Sequence, residues 1–144
     1  IHKDGEILNI CNRIGLDRFL SRLPDGLDTY MRDDRSIVSG GQRLQIMIAR
    51  CLLNEADVYI FDNCFFSLDP DTKTKVTTTI NELCDGRTVL FIMNDTSTCG
   101  MSDEIILLKD GKVVDTGDHE GLMGRSQLYR DLNRVGQEGE GTWA

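Results

Sequence analysis

Two short runs of unbroken apolar residues, Val58-Tyr-Ile-Phe61 and Val89-Leu-Phe-Ile-Met93, constrain the fold of this chain more than any other feature. Apolar runs of this length without polar alternation read as strands covered on both faces, the habit of parallel sheets. Between them Val76, Ile80, Leu83 and Cys84 form a stripe at helical spacing. Asp69-Pro70 marks the start of that helix, because aspartate caps and proline suits the first helical position, and Asp85-Gly86 ends it. Strand, helix and strand in this order predict an α/β architecture built on a parallel sheet. A second strand pair, 104–109 and 112–115, is joined by Asp110-Gly111, a two-residue sequence that favours a tight hairpin turn.

The stretch before the first strand reads as helical. Ile7, Ile10, Cys11 and Ile14 share one helix face, with Gly15 in a position to end it. Leu16 to Leu20 is a second short piece, and Leu23-Pro-Asp-Gly-Leu-Asp-Thr29 is a turn. Ser39 is placed to cap a helix that opens with Gly40-Gly41 and runs to about Leu53. A last helix is expected over His119 to Val135. These boundaries give residues 1–54 as a helical subdomain, 55–136 as an α/β core and 137–144 as a flexible tail. The chain opens on Ile1, which suggests a piece of something longer.

Sixteen Lys and Arg stand against 24 Asp and Glu, for a net charge of −8. That balance speaks against a nucleic-acid surface, since phosphate contacts are made by cations. Cys11, Cys51, Cys64, Cys84 and Cys99 are odd in number and form no Cys-x-x-Cys pair, as expected of reduced thiols in a cytosolic setting. His2 and His119 are too scattered to suggest a relay or a zinc site.

Three segments carry chemistry. Val38-Ser-Gly-Gly-Gln42 puts paired glycines at a helix start, where backbone N–H groups and the helix dipole favour an anion such as a terminal phosphate. Asp62 follows the first apolar strand, and ligands of parallel sheets gather at that strand end; a carboxylate there can hold Mg²⁺, usually through water. Ser67-Leu68-Asp69 starts the next helix. Each segment taken alone is an ordinary cap or strand end; it is their order and spacing together that are specific.

Read together, Val38 to Gln42, Val58 to Asp62 and Phe66 to Asp69 resemble the signature motif, the Walker B strand and the D-loop of the nucleotide-binding domain of ABC transporters. Leu23 to Thr29 and the acidic Met31 to Arg35 resemble the region before the signature in ABC exporters. Gly117-Asp118-His119-Glu120 and Leu128-Tyr129 resemble the end of such a domain. The resemblance implies a P-loop NTPase-like ABC ATPase fold of which only the C-terminal portion is present: a partial parallel sheet flanked by helices, with a helical signature subdomain. No Walker A motif occurs; the one Gly-Lys, Gly111-Lys112, precedes Val113 in the hairpin turn. One side of the sheet is therefore expected to be left open, and the chain to be marginal or to pair with a second copy.

The departures from the family pattern matter most for function. Asn63 stands where the family usually has a catalytic Glu, and Asn94 where it has a switch His. In the family two such domains sandwich two nucleotides, each touched by the Walker side of one domain and the signature of the other. The resemblance thus implies an ATP-binding, Mg²⁺-dependent component of an exporter at the cytoplasmic face of the membrane. Ser39, Gly40, Gly41 and Gln42 would complete a site on a second nucleotide-binding domain, a different chain. Asp62 would serve Mg²⁺ and Asp69 the D-loop. The chain's own Walker side would be degenerate, as in the weak-site subunit of heterodimeric exporters, with hydrolysis only in the dimer. Phe66 replaces a small hydroxyl residue, and Leu44 and Gln45 replace polar and basic ones, which leaves Gln45 doubtful as a contact. A non-catalytic nucleotide-sensing module is the alternative. A soluble ATPase acting on nucleic acid or ribosomes is disfavoured by the acidic charge.

Overall fold

In the computed structural model the described residues are 2–30, 38–65, 67–94, 96 and 98–139, with side chains described as far as Arg134. Phe66, the acidic Met31 to Arg35 segment and Trp143 lie outside them. The chain forms two compact units, Ile1–Ile92 and Met93–Ala144.

The first unit begins with α1 (Asp4–Arg13) and α2 (Asp17–Leu20), followed by a single 3₁₀ turn at Gly26–Asp28. Gly15, at φ +83°, lets the chain reverse between the two helices. Then come α3 (Gly40–Leu53), β1 (Val58–Asp62), α4 (Pro70–Leu83) and β2 (Thr88–Ile92). Helices α1, α3 and α4 pack on one another through Ile10, Cys11 and Ile14, Ile48, Ala49 and Leu52, and Val76 and Ile80, all buried. Burial of aliphatic side chains at about 1.5–3 kcal/mol each is what holds such a helical cluster together. Tyr59 fastens the turn from α3 into β1: its hydroxyl donates to the Asn54 carbonyl at 2.9 Å and accepts from the Ala56 N–H at 3.1 Å.

β1 and β2 pair in parallel, from Val58 opposite Thr88 to Asp62 opposite Ile92, as the apolar runs predict. Only one face is covered, however. Tyr59 and Phe61 point into the core, and Phe61 stacks on Phe91 at 5.4 Å between centroids, while Ile60 is 60% exposed, with Val58, Leu90 and Ile92 beside it. An unbroken apolar strand cannot show which of its faces its neighbours cover, because both sets of alternating side chains are apolar.

The second unit holds the antiparallel hairpin β3 (Ile105–Lys109) and β4 (Lys112–Gly117), then α5 (His119–Arg125) and α6 (Gln127–Gly139). Asp110 and Gly111 both have positive φ, +51° and +73°, the geometry that Asp-Gly turns favour. The single helix expected over His119 to Val135 is two: Ser126 is extended, and its hydroxyl accepts from the Tyr129 N–H at 3.3 Å, opening a new helix. Leu107, Leu122, Tyr129 and Cys99 form this unit's core. Tyr129 shares a hydrogen bond of 2.8 Å between its hydroxyl and His119 Nδ1, and burial pushes its phenol well above the usual tyrosine range.

Candidate functional site

The start of α3 is built by a reciprocal cap. Ser39 Oγ accepts from the Gln42 N–H at 3.2 Å, and the Ser39 N–H donates to Gln42 Oε1 at 3.0 Å. The first bond of the helix proper runs from the Arg43 N–H to the Ser39 carbonyl at 2.9 Å. Four amides at a helix start lack a partner in the preceding turn. The cap accounts for two of them, which leaves the N–H groups of Gly40 and Gly41 facing outward at the positive end of the helix dipole.

These amides open onto a cleft of about 550 Å³. Its second wall is Ser67, Leu68 and Asp69, so the structure brings the signature-like segment and the D-loop-like segment together. The approach is close: a Cβ on Gly41 would stand 2.8 Å from the Ser67 carbonyl oxygen, whereas one on Gly40 would meet Ser67 Oγ at an ordinary 3.9 Å. Asp69 caps α4, its Oδ1 accepting from the Thr72 N–H at 3.0 Å. That backbone bond is the main cause holding the Asp69 carboxyl below the usual carboxylate range. The third wall is the α1–α2 region, which contributes Arg18 and Arg22.

The remaining candidates lie elsewhere. Asp62 and Asn63 sit at the C-terminal end of β1, both exposed and outside the lining of the cleft. The Asn63 N–H donates to the Ile92 carbonyl at 2.8 Å, which extends the β1–β2 ladder by one bond, and its Nδ2 reaches Asp62 Oδ1 at 3.3 Å. Its φ of +49° is left-handed, a region asparagine enters more readily than most residues. Among the described residues no group of three His, Cys, Asp or Glu could hold a metal ion by itself. A cation on Asp62 would take its other ligands from water and phosphate oxygens, which is how Mg²⁺ is usually held beside one carboxylate. Asn94 is exposed and belongs to the second unit, two residues past β2.

Sequence reasoning missed two features of the cleft. Gln45 is buried, and its Nε2 donates to the Ile14 carbonyl at 2.6 Å, which ties α3 to the turn leading into α2. Arg18 on α2 and Arg22 in the turn after it are exposed side chains of an acidic chain, with no motif in the sequence to single them out. Burial is the main cause that pushes up the thiols of Cys11, Cys51, Cys64 and Cys84.

No family model matches the chain. It is 37% identical over 123 residues to the ATP-dependent lipid A-core flippase of Vibrio vulnificus (strain CMCP6), covering 85% of this chain and 21% of that protein. It is 38% identical over 117 residues to the protein of the same description from Photorhabdus laumondii subsp. laumondii, covering 81% and 20%. A solved structure of a bacterial Atm1-family ABC exporter with ATP bound superposes at a TM-score of 0.81 with 26% identity, over 99% of this chain and 24% of that one. The match is to the C-terminal portion of an ABC-transporter nucleotide-binding domain. The chain spans about a fifth of the length of the curated relatives it matches. The ABC-type fold accounts for the mixed architecture of helices and a small parallel sheet. Among the described residues no helix is long and apolar enough to cross a membrane.

Proposed function

We propose that this chain is part of the ATPase of an ABC-type membrane exporter and that it offers Ser39 to Gln42 to a nucleotide seated on a second nucleotide-binding domain. The observation that carries the reading is the start of α3. Two glycine amides are left over by the Ser39–Gln42 cap, and they face a cleft large enough for a polyphosphate chain. Donors fixed in advance at a helix start stabilise charge that develops on a phosphoryl group without reorganising during the reaction. Mg²⁺ beside Asp62 would offset phosphate charge on the chain's own Walker side. The natural setting is the cytoplasmic face of a membrane, with transmembrane domains as further partners.

The chain's own side is degenerate in this reading. Asn63 offers a neutral amide where a general base would take a proton from the attacking water. Losing such a base costs on the order of 10²–10⁴ in rate. Asn94 can donate a hydrogen bond but cannot carry an imidazolium charge. Turnover therefore belongs to the site on the partner, and this chain supplies its donors.

The test is the ATPase activity of the reconstituted pair. Ser39→Arg, which fills the helix start with a bulky cation, should abolish turnover, and Asn63→Ala should change it little. The reverse ranking overturns the assignment. A nucleotide-sensing role without hydrolysis is favoured by Asn63 alone; it requires that Ser39→Arg leave ATPase activity untouched while nucleotide binding is lost.

A further inference from the structure

The C-terminal end of α1 closes most of its own backbone bonds. The Ile14 N–H donates to the Ile10 carbonyl at 3.1 Å, the Leu16 N–H to the Cys11 carbonyl at 2.8 Å and the Gly15 N–H to the Asn12 carbonyl at 3.1 Å. This is how a helix ends on a left-handed glycine, and it leaves the Arg13 and Ile14 carbonyls over. Side chains from two other helices take them. Thr79 of α4 donates to the Arg13 carbonyl at 3.3 Å, a hydroxyl that is closer to its own Lys75 carbonyl at 2.7 Å. Gln45 of α3 donates from Nε2 to the Ile14 carbonyl at 2.6 Å. Gln45 is only 6% exposed, and a buried amide of this kind is costly unless it is bonded. It lies one helical turn past Gly41, and with Gly15 it lines the cleft. On the other side of Gly41 stands the Ser67 carbonyl, too near to admit a Cβ. The start of α3 is thus held from two directions, by Ser67 and through Gln45 by the end of α1.

Resting on the reading above, we infer that Gln45 is a positioning residue: its bond to the Ile14 carbonyl sets where the Ser39 to Gln42 segment stands, and it acts through that segment without touching the nucleotide. Donors aimed at a phosphoryl group work by being fixed in advance, and a displacement of about 1 Å can cost on the order of 10²-fold in rate. Thr79 makes the matching tie from α4, but it lies outside the lining of the cleft. It therefore serves as a control for general loosening of the helical cluster.

The experiment compares Gln45→Met, which keeps the length of the side chain and loses the donor, with Thr79→Val. In the reconstituted pair, measured well below the melting temperature of each variant, Gln45→Met should lower kcat about ten-fold and leave KM for ATP within about two-fold, because the nucleotide is seated on the partner. Thr79→Val should leave both within about two-fold. Gln45→Lys, which restores a donor within reach of the carbonyl, should recover most of kcat. In the full chain labelled with ¹⁵N, the Gly40 and Gly41 amide resonances should move in Gln45→Met and hold their places in Thr79→Val. If Met at this position prevents folding, Gln45→Asn, one methylene too short for the carbonyl, carries the same comparison. An unchanged kcat, unmoved Gly40 and Gly41 resonances, an equal loss in Thr79→Val or no recovery with Gln45→Lys overturns the inference, while abolition of turnover by Ser39→Arg would still uphold the reading it rests on. Full turnover in Ser39→Arg removes that reading instead.

Discussion

Asn63 shows how much a single position can be asked to do. A left-handed backbone costs an ordinary L-residue about 1–2 kcal/mol, less for asparagine and nothing for glycine. At φ +49° Asn63 is therefore suited to its backbone whatever it does for chemistry. Asn63→Ala should lose about 1 kcal/mol in urea denaturation, and Asn63→Gly should be neutral or better, so activities of these variants are compared well below their melting temperatures. Gly40 and Gly41 make a second contrast. Alanine gains up to about 1 kcal/mol over glycine in a helix. Gly40→Ala meets only ordinary contacts and should keep that gain. Gly41→Ala drives a methyl to 2.8 Å from the Ser67 carbonyl and should be net destabilising by about 1–2 kcal/mol, as overpacking usually is. Thermal denaturation of the two variants separates close approach from mere helix propensity.

At the scale of elements, the caps position the cleft. Asp69 illustrates the pH dependence. Its carboxyl is held below the usual carboxylate range chiefly by the Thr72 N–H, so the folded state binds its proton less readily than the unfolded chain does. The stabilisation is present in full above the unfolded value of roughly 4 and is lost as pH falls through the folded one. Asp69→Asn keeps a capping oxygen but has no charge to titrate. The difference in urea midpoint between the original chain and Asp69→Asn should be largest near neutral pH and should shrink below about pH 4. A difference that does not change with pH would show that the charge contributes nothing to the cap. The break between α5 and α6 follows the same logic, with Ser126 serving as a start signal inside what reads as one periodic stretch.

At the scale of the whole molecule, the open face of the β1–β2 sheet is the dominant feature. Val58, Ile60, Leu90 and Ile92 expose apolar surface that monomeric proteins usually cover. The chain by itself should associate at micromolar concentrations, and Ile60→Lys should reduce that association without unfolding the first unit, since the Ile60 side chain points away from Tyr59 and Phe61. Light scattering of the two proteins checks this; a well-behaved monomer in both would count against it.

Local chemistry was legible from residue order alone. The Ser39 and Asp69 caps, the Asp-Gly hairpin and the apolar runs of the two strands follow from backbone preferences that act over a few residues, and the resemblance of 38–69 to an ABC signature, Walker B strand and D-loop rests on the family motifs those residues match. Tertiary packing decided the rest. It put Ser67 against Gly41, turned Arg18 and Arg22 toward the same cleft, buried Gln45 on the Ile14 carbonyl and left one sheet face bare. Each of these depends on which elements meet across tens of residues. An apolar strand has two apolar faces, and an arginine on a short helix can point to solvent or to a ligand, so the outcome rests on neighbours distant in the chain and not on the residue itself.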